Sequence, residues 1–190
     1  MSTVLNLPTG ARVNLDVFDE LMQTYPAGGP GDSSSSPVGI CLYGLVRLVQ
    51  PSLVVEIGTM EGATSAWLAR AVAENGRGTY RGYEWQASYA ATTAHLLERA
   101  VPGGNYEVIN ANFIDSPPVE CDFAFIDTPK HLYGLVFQNL LLPMGSYVCA
   151  HDTAHWDEAR MFAGMIGLLR DWETINIQQE RGLMIARKVA

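Results

Sequence analysis

Leu53-Val54-Val55-Glu56-Ile57-Gly58-Thr59-Met60-Glu61-Gly62 decides the fold. Its apolar run, bounded by Pro51 and then by glycine, reads as a buried parallel strand, since a strand covered on both faces stays apolar at successive positions. Gly58 and Gly62 let the backbone turn tightly and approach a ligand, because neither carries a Cβ. The run from Ala63 to Glu74 continues as a helix whose unpaired N–H groups point back at that ligand. The stretch therefore predicts a nucleotide-type ligand site at the carboxyl end of a first strand. Its pattern is E-x-G-x-x-x-G rather than G-x-G-x-x-G, which disfavours a dinucleotide. A glycine turn with a purely structural use is the bland alternative.

Working outward, Pro51-Ser52 ends an apolar helix over Val38 to Val49. Before it, residues 26 to 37 turn to Gly, Pro, Asp and four serines, a flexible stretch that is either a solvated linker or a loop closing on a ligand. Val13, Leu15, Val17, Phe18, Leu21 and Met22 have loose helical spacing and suggest a lid or packing helix. Downstream, strands are expected at Thr79 to Glu84, Tyr106 to Asn110, Cys121 to Asp127 and Ser146 to Ala150. Helices are expected over 86–101, 130–141 and 156–170, and Glu173 to Gln178 with Gly182 to Lys188 reads as a closing hairpin. The alternation predicts an α/β fold: a doubly wound, mostly parallel, seven-stranded Rossmann-like sheet with a C-terminal antiparallel hairpin. One domain over 1–190 is expected, with 1–37 as a lid and loop segment ahead of the 38–190 core.

Composition narrows the partners. A chain of 190 residues, 48% hydrophobic, suits a full core. A formal charge of -8 argues against nucleic-acid or acidic-membrane partners, which call for basic patches. Cys41, Cys121 and Cys149 are odd in number and set in apolar runs, so buried free thiols in a reducing compartment are expected. No apolar run reaches the roughly 18 residues a membrane span needs, and no signal-peptide pattern opens the chain. A soluble, cytoplasmic protein with a small-molecule partner is the expectation.

Three strands end in acids: Glu84, Asp127 and Asp152. In an open α/β sheet such ends share one edge, where ligands bind. Glu84 falls where a βαβ unit places an acid for ribose hydroxyls, with Trp85 as an aromatic beside it. Asp127 and Asp152 close neighbouring strands, so their oxygens suit one hard cation. Lys130 opens the next helix over the same site, and a lysine whose proton is loosened by burial is a general base for a hydroxyl. A solvated helix lysine is the alternative. His95 reads as a surface or packing residue. His151 and His155 bracket Asp152 and invite a metal reading, though they share a face only if a helix has already begun there.

The segment Phe125-Ile126-Asp127-Thr128-Pro129-Lys130-His131-Leu132-Tyr133 resembles the D-x-x-K-x-x-Y segment of the cation-dependent O-methyltransferases. That family includes catechol and caffeoyl-CoA O-methyltransferases. Pro51 to Gly58 and the helix around Gly39 resemble the same class I S-adenosylmethionine-dependent family, and the likeness runs from about residue 34 to the C-terminus. His151-Asp152-Thr153 and the last hairpin also look like related bacterial small-molecule methyltransferases.

The resemblance implies S-adenosylmethionine as cofactor. Glu56, Gly58, Met60 and Gly62 would line its methionine end, with Ser34 and Thr64 near its carboxylate. Glu84 would take the ribose hydroxyls, Trp85 and Asn112 would flank the adenine, and Asp127 and Thr128 would lie beside it. Asp127 and Asp152 would ligate Mg2+ or another divalent cation, and Lys130 would be the base that frees a hydroxyl of the small-molecule acceptor. The family's third ligand is an asparagine; here Thr153 stands in its place, so a weaker, readily lost cation is expected. The short N-terminus would leave one side of the cofactor for a second copy in a homodimer. The rivals are a metal-independent transferase using His131 or His155 as base, and a cofactor-binding protein without activity.

Overall fold

The computed structural model describes residues 3–27 and 36–190. A small hairpin of β1 (Val4–Asn6) and β2 (Arg12–Asn14) leads into α1 (Leu15–Thr24), and α2 (Ser36–Val49) follows. Then come β3 (Leu53–Ile57), α3 (Ala63–Asn75), β4 (Thr79–Glu84), α4 (Ala87–Ala100), β5 (Tyr106–Asn110), β6 (Val119–Glu120) and β7 (Phe123–Ile126). The chain closes with α5 (Tyr133–Gln138), β8 (Leu140–Leu141), β9 (Tyr147–His151), α6 (Asp157–Leu168), β10 (Trp172–Ile177) and β11 (Leu183–Lys188).

Seven strands form the central sheet in the order β10-β11-β9-β7-β3-β4-β5. β3, β4, β5, β7 and β9 run parallel, while β11 is antiparallel to both β9 and β10. The period of two along a strand sorts the core into two layers. Val54, Phe123 and Phe125 pack toward α1, α2, α3 and α4, while Val55, Ala124 and Ile126 pack toward α5 and α6. From β3 the chain winds outward to β5, then returns to lay β7 on the other side of β3. That reversal opens a crevice beyond the carboxyl ends of β3 and β7, the place where such sheets bind ligands.

The expected doubly wound sheet with its closing hairpin is the observed architecture, and the differences from the sequence reading are local. Residues 130–141 do not form one helix. A 3₁₀ turn at Lys130–Leu132 precedes α5, and the chain then leaves helical geometry so that β8 pairs with β6. Asn139 marks the break, its side-chain amide donating to Phe113 O and Ser116 O at 2.9 and 3.0 Å. The fourth strand starts at Phe123 because Asp122 turns aside to accept the N–H groups of Ser52 and Leu53. The fifth extends to His151, which brings that ring into the sheet. Cys41, Cys121 and Cys149 are free thiols, the last two buried. Among the described residues, no helix is long and apolar enough to cross a membrane.

Candidate active site

The loop after β3 is held by backbone geometry. Gly58, Met60 and Gly62 all have positive φ (91°, 44° and 86°). A Cβ on Gly58 would stand 2.3 Å from the Asp127 carbonyl oxygen, so glycine lets β3 and β7 end side by side. A Cβ on Gly62 would instead meet Thr93 and Leu96 of α4 at 3.2 Å. Gly62 thus serves the turn and the packing of α4. Glu84 fixes the loop from below: its Oε2 accepts the N–H groups of Thr59 (3.1 Å) and Met60 (3.0 Å), and its Oε1 that of Gln86 (2.9 Å). Thr93 completes the clasp by donating its hydroxyl to Met60 O at 2.8 Å.

Above this loop lies a pocket lined by Glu56, Gly58, Thr59, Met60, Ala63, Thr64 and Asp127. Glu56 is buried at its floor, where Oε2 accepts from the Ser65 hydroxyl (2.6 Å) and the Tyr80 hydroxyl (2.5 Å). Burial pushes the Glu56 carboxyl up to about 8 against those two hydrogen bonds, and the negative charges of Asp127 and Glu84 push the same way. On the rim, Trp85 is 64% exposed at the end of β4, and Asn110 steadies that end by donating to Glu84 O and Trp85 O. Asn112 and Thr128 border the same sheet edge, Asn112 exposed and bonded to Asp115. Ser34 lies outside the described residues.

The ends of β7 and β9 carry a different construction, made of side chains. Lys130 Nζ lies 2.7 Å from Asp127 Oδ1 and 2.7 Å from Asp152 Oδ2, bridging the two carboxylates. His151, from the last position of β9, sets Nδ1 against Asp127 Oδ2 at 3.1 Å and Nε2 against Glu180 O at 3.0 Å. Arg181, from the β10–β11 turn, brings Nε to 3.0 Å from Asp152 Oδ1. Tyr133 closes the floor, donating its hydroxyl to His151 O at 3.2 Å.

These contacts set the charges. Burial would raise Asp127, but His151 and Lys130 outweigh it and hold the carboxyl well below the usual carboxylate range. Burial disfavours the Lys130 ammonium, yet Asp127 and Asp152 more than offset that and hold Lys130 above its ordinary value. His151 is likewise raised: Asp127 and Asp152 outweigh burial and the nearby Arg181. The sequence argument for a loosened lysine proton therefore meets the opposite sign, because the two acids it places nearby stabilise the ammonium.

Asp127, His151 and Asp152 each turn one ligand-type atom to within 4.8 Å of the others. Thr153 is buried next to them, its backbone N–H directed at Gly182 O (3.4 Å). His131 and His155 are exposed, and the His155 ring rests edge-on against Trp156. Sequence reading did not single out Arg181, Ser65 or Tyr80. Tyr133 alone among these side chains had a signal, its place in the D-x-x-K-x-x-Y segment.

A parallel sheet wound outward from β3, closed by an antiparallel hairpin and carrying a glycine loop over a strand-end acid, defines a Rossmann-like methyltransferase fold. The chain belongs to the family described as "Methyltransferase domain", whose model matches residues 55–153, just over half of it. It is 33% identical over 119 residues to a catechol O-methyltransferase of Niastella koreensis, covering 59% of this chain and 53% of that protein. The chain thus spans about half the length of the curated relative it matches. Two solved structures share the fold. One is the O-methyltransferase TomG from Streptomyces achromogenes, in complex with SAM (TM-score 0.69, 23% identity, 98% of this chain and 92% of that one). The other is an O-methyltransferase from Bacillus cereus in complex with SAH (TM-score 0.71, 20% identity, 91% and 90%).

Proposed function

We propose that this protein transfers a methyl group from S-adenosylmethionine to a hydroxyl of a small molecule. The observation that carries the reading is the double membership of Asp127: it lines the glycine-loop pocket and also bonds Lys130 in the acid–lysine–acid bridge. A donor in the pocket and an acceptor on the bridge would therefore meet across one side chain. The pocket's chemistry fits the cofactor. Glu84 keeps acceptor capacity for a ribose hydroxyl beyond its three N–H bonds, because a carboxylate offers about four lone-pair sites. Trp85 offers an exposed ring face for a base. When bound, the cofactor supplies an electrophilic sulfonium methyl.

The chain's own part is to position the acceptor and move one proton. Lys130 already carries its proton, so we assign it a relay: it hands a proton to Asp152 Oδ2, 2.7 Å away, as it takes the acceptor's. In the balanced transfer the acceptor oxygen would gain a methyl and lose a proton through Lys130 to Asp152, which would pass it to water, and a neutral thioether would remain of the donor. Placement of the two reactants supplies much of the rate in such in-line transfers.

A divalent cation does not fit this donor set as arranged. The Lys130 ammonium lies 2.7 Å from one oxygen of each aspartate, and Arg181 Nε and His151 Nδ1 stand 3.0 and 3.7 Å from Asp152 Oδ1, a buried oxygen that accepts no hydrogen bond. No step is routed through a metal. The test of the reading is radiolabelled methyl transfer to a panel of phenols and hydroxylated acids, alongside calorimetry with S-adenosylhomocysteine. Cofactor binding without transfer to any acceptor would leave a binding protein.

A further inference from the structure

Two acids at adjacent strand ends, Asp152 buried and Asp127 partly so, ask for positive charge, because isolated carboxylates out of water are costly. A divalent cation is one way to supply it, and two fixed cationic side chains are another. Here Asp127 and Asp152 stand against Lys130 and Arg181, with His151 Nδ1 a further 3.1 Å from Asp127 Oδ2 and 3.7 Å from Asp152 Oδ1. Lys130 is 17% exposed and Arg181 29%, so both are screened much less than surface pairs.

Arg181 is held there by the backbone. Glu180, Arg181 and Gly182 all have positive φ, as does Asp152 facing them. Such conformations in non-glycine residues are uncommon and cluster at functional sites. Of the five positive-φ residues other than glycine among those described, Asp152, Glu180 and Arg181 belong to this site and Met60 to the adjoining pocket. The hairpin turn is also stitched to the loop after β9: Thr153 N–H donates to Gly182 O and Ala154 N–H to Arg181 O at 2.9 Å. A Cβ on Gly182 would lie 2.2 Å from Ala154 N, so glycine lets the turn press this close.

We propose that Lys130 and Arg181 together supply the charge a divalent cation would supply, and that the site works without one. Lys130 bridges both acids and faces the acceptor oxygen. Arg181 is a positioning residue: by pairing with the buried Oδ1 of Asp152, it leaves the Lys130 ammonium directed at the acceptor. A cation entering here would meet basic groups already set against both acids and would have to displace Lys130 from both carboxylates.

The experiment is a Mn2+ titration of the intact chain, followed by electron paramagnetic resonance, for wild type, Arg181→Met and Arg181→Lys. It needs no acceptor, so it reads independently of the methyl-transfer reading, on which only the activity arm rests. Wild type should show no saturable Mn2+ binding below about 1 mM. Arg181→Met, with Asp152 uncovered, should bind Mn2+ at least about tenfold more tightly, and Arg181→Lys should return to the wild-type result. Methyl transfer by wild type should survive excess chelator. Micromolar Mn2+ binding by wild type, or activity abolished by chelator, overturns the proposal whether or not the variants fold. Mn2+ affinity in folded Arg181→Met equal to that of wild type overturns the role of Arg181.

Discussion

The two halves of the sheet edge are built from different materials. On the β3–β4 side the ligand pocket is a backbone object: positive φ at Gly58, Met60 and Gly62, with Glu84 gripping two loop N–H groups. On the β7–β9 side the site is a charge network, with Lys130, His151 and Arg181 arranged on two aspartates from three separate segments. A backbone cradle tolerates change in most side chains but none at its glycines. A charge network tolerates small backbone shifts but no change in the sum of its charges. The first suits a cofactor whose shape is constant, and the second an acceptor whose ionisation is the chemical problem.

The sharpest break is expected at Gly58. Gly58→Ala forces a Cβ into the Asp127 carbonyl and keeps a positive φ, so a loss beyond about 4 kcal/mol is expected. Denaturant unfolding checks it, and a near-normal midpoint would mean the strand ends can part. Glu84→Ala is next. Its buried N–H partners lose an acceptor, a cost of about 1–3 kcal/mol, so S-adenosylhomocysteine should bind roughly 5- to 150-fold more weakly by calorimetry.

Another effect separates the halves by pH. The Glu56 carboxyl keeps its proton up to about 8 in the folded chain, against an ordinary value of 4.5. Its contribution to stability is therefore full below the ordinary value and is lost as pH rises through the folded one. Wild type should lose more thermal stability than Glu56→Gln on going from about pH 5 to about pH 9. Parallel melting curves for the two would mean that Glu56 is ionised in the fold.

The backbone half was the legible half. Glycine spacing after an apolar strand is a local pattern, so β3, its loop and α3 could be read from Leu53 to Glu74, and Glu84 followed from the βαβ repeat. Asp127, Lys130 and Asp152 were legible as strand-end acids and a nearby lysine. Their electrostatics were not, because the sign of the Lys130 shift depends on both carboxylates reaching the same nitrogen. Arg181 had no local signal at all: it reaches Asp152 only because the last hairpin folds back antiparallel onto β9. Gly62 was legible as a glycine that must stay, though not that a side chain there would meet Thr93 and Leu96.

The central claim is that a backbone pocket for the donor and a charge bridge for the acceptor are separate parts joined at Asp127. Lys130→Met tests it most directly, with S-adenosylhomocysteine affinity and methyl transfer measured on the same preparation. The account predicts an affinity within about twofold of wild type and turnover lower by about 10²- to 10⁴-fold. Turnover equal to wild type, or affinity lost together with turnover, would contradict it.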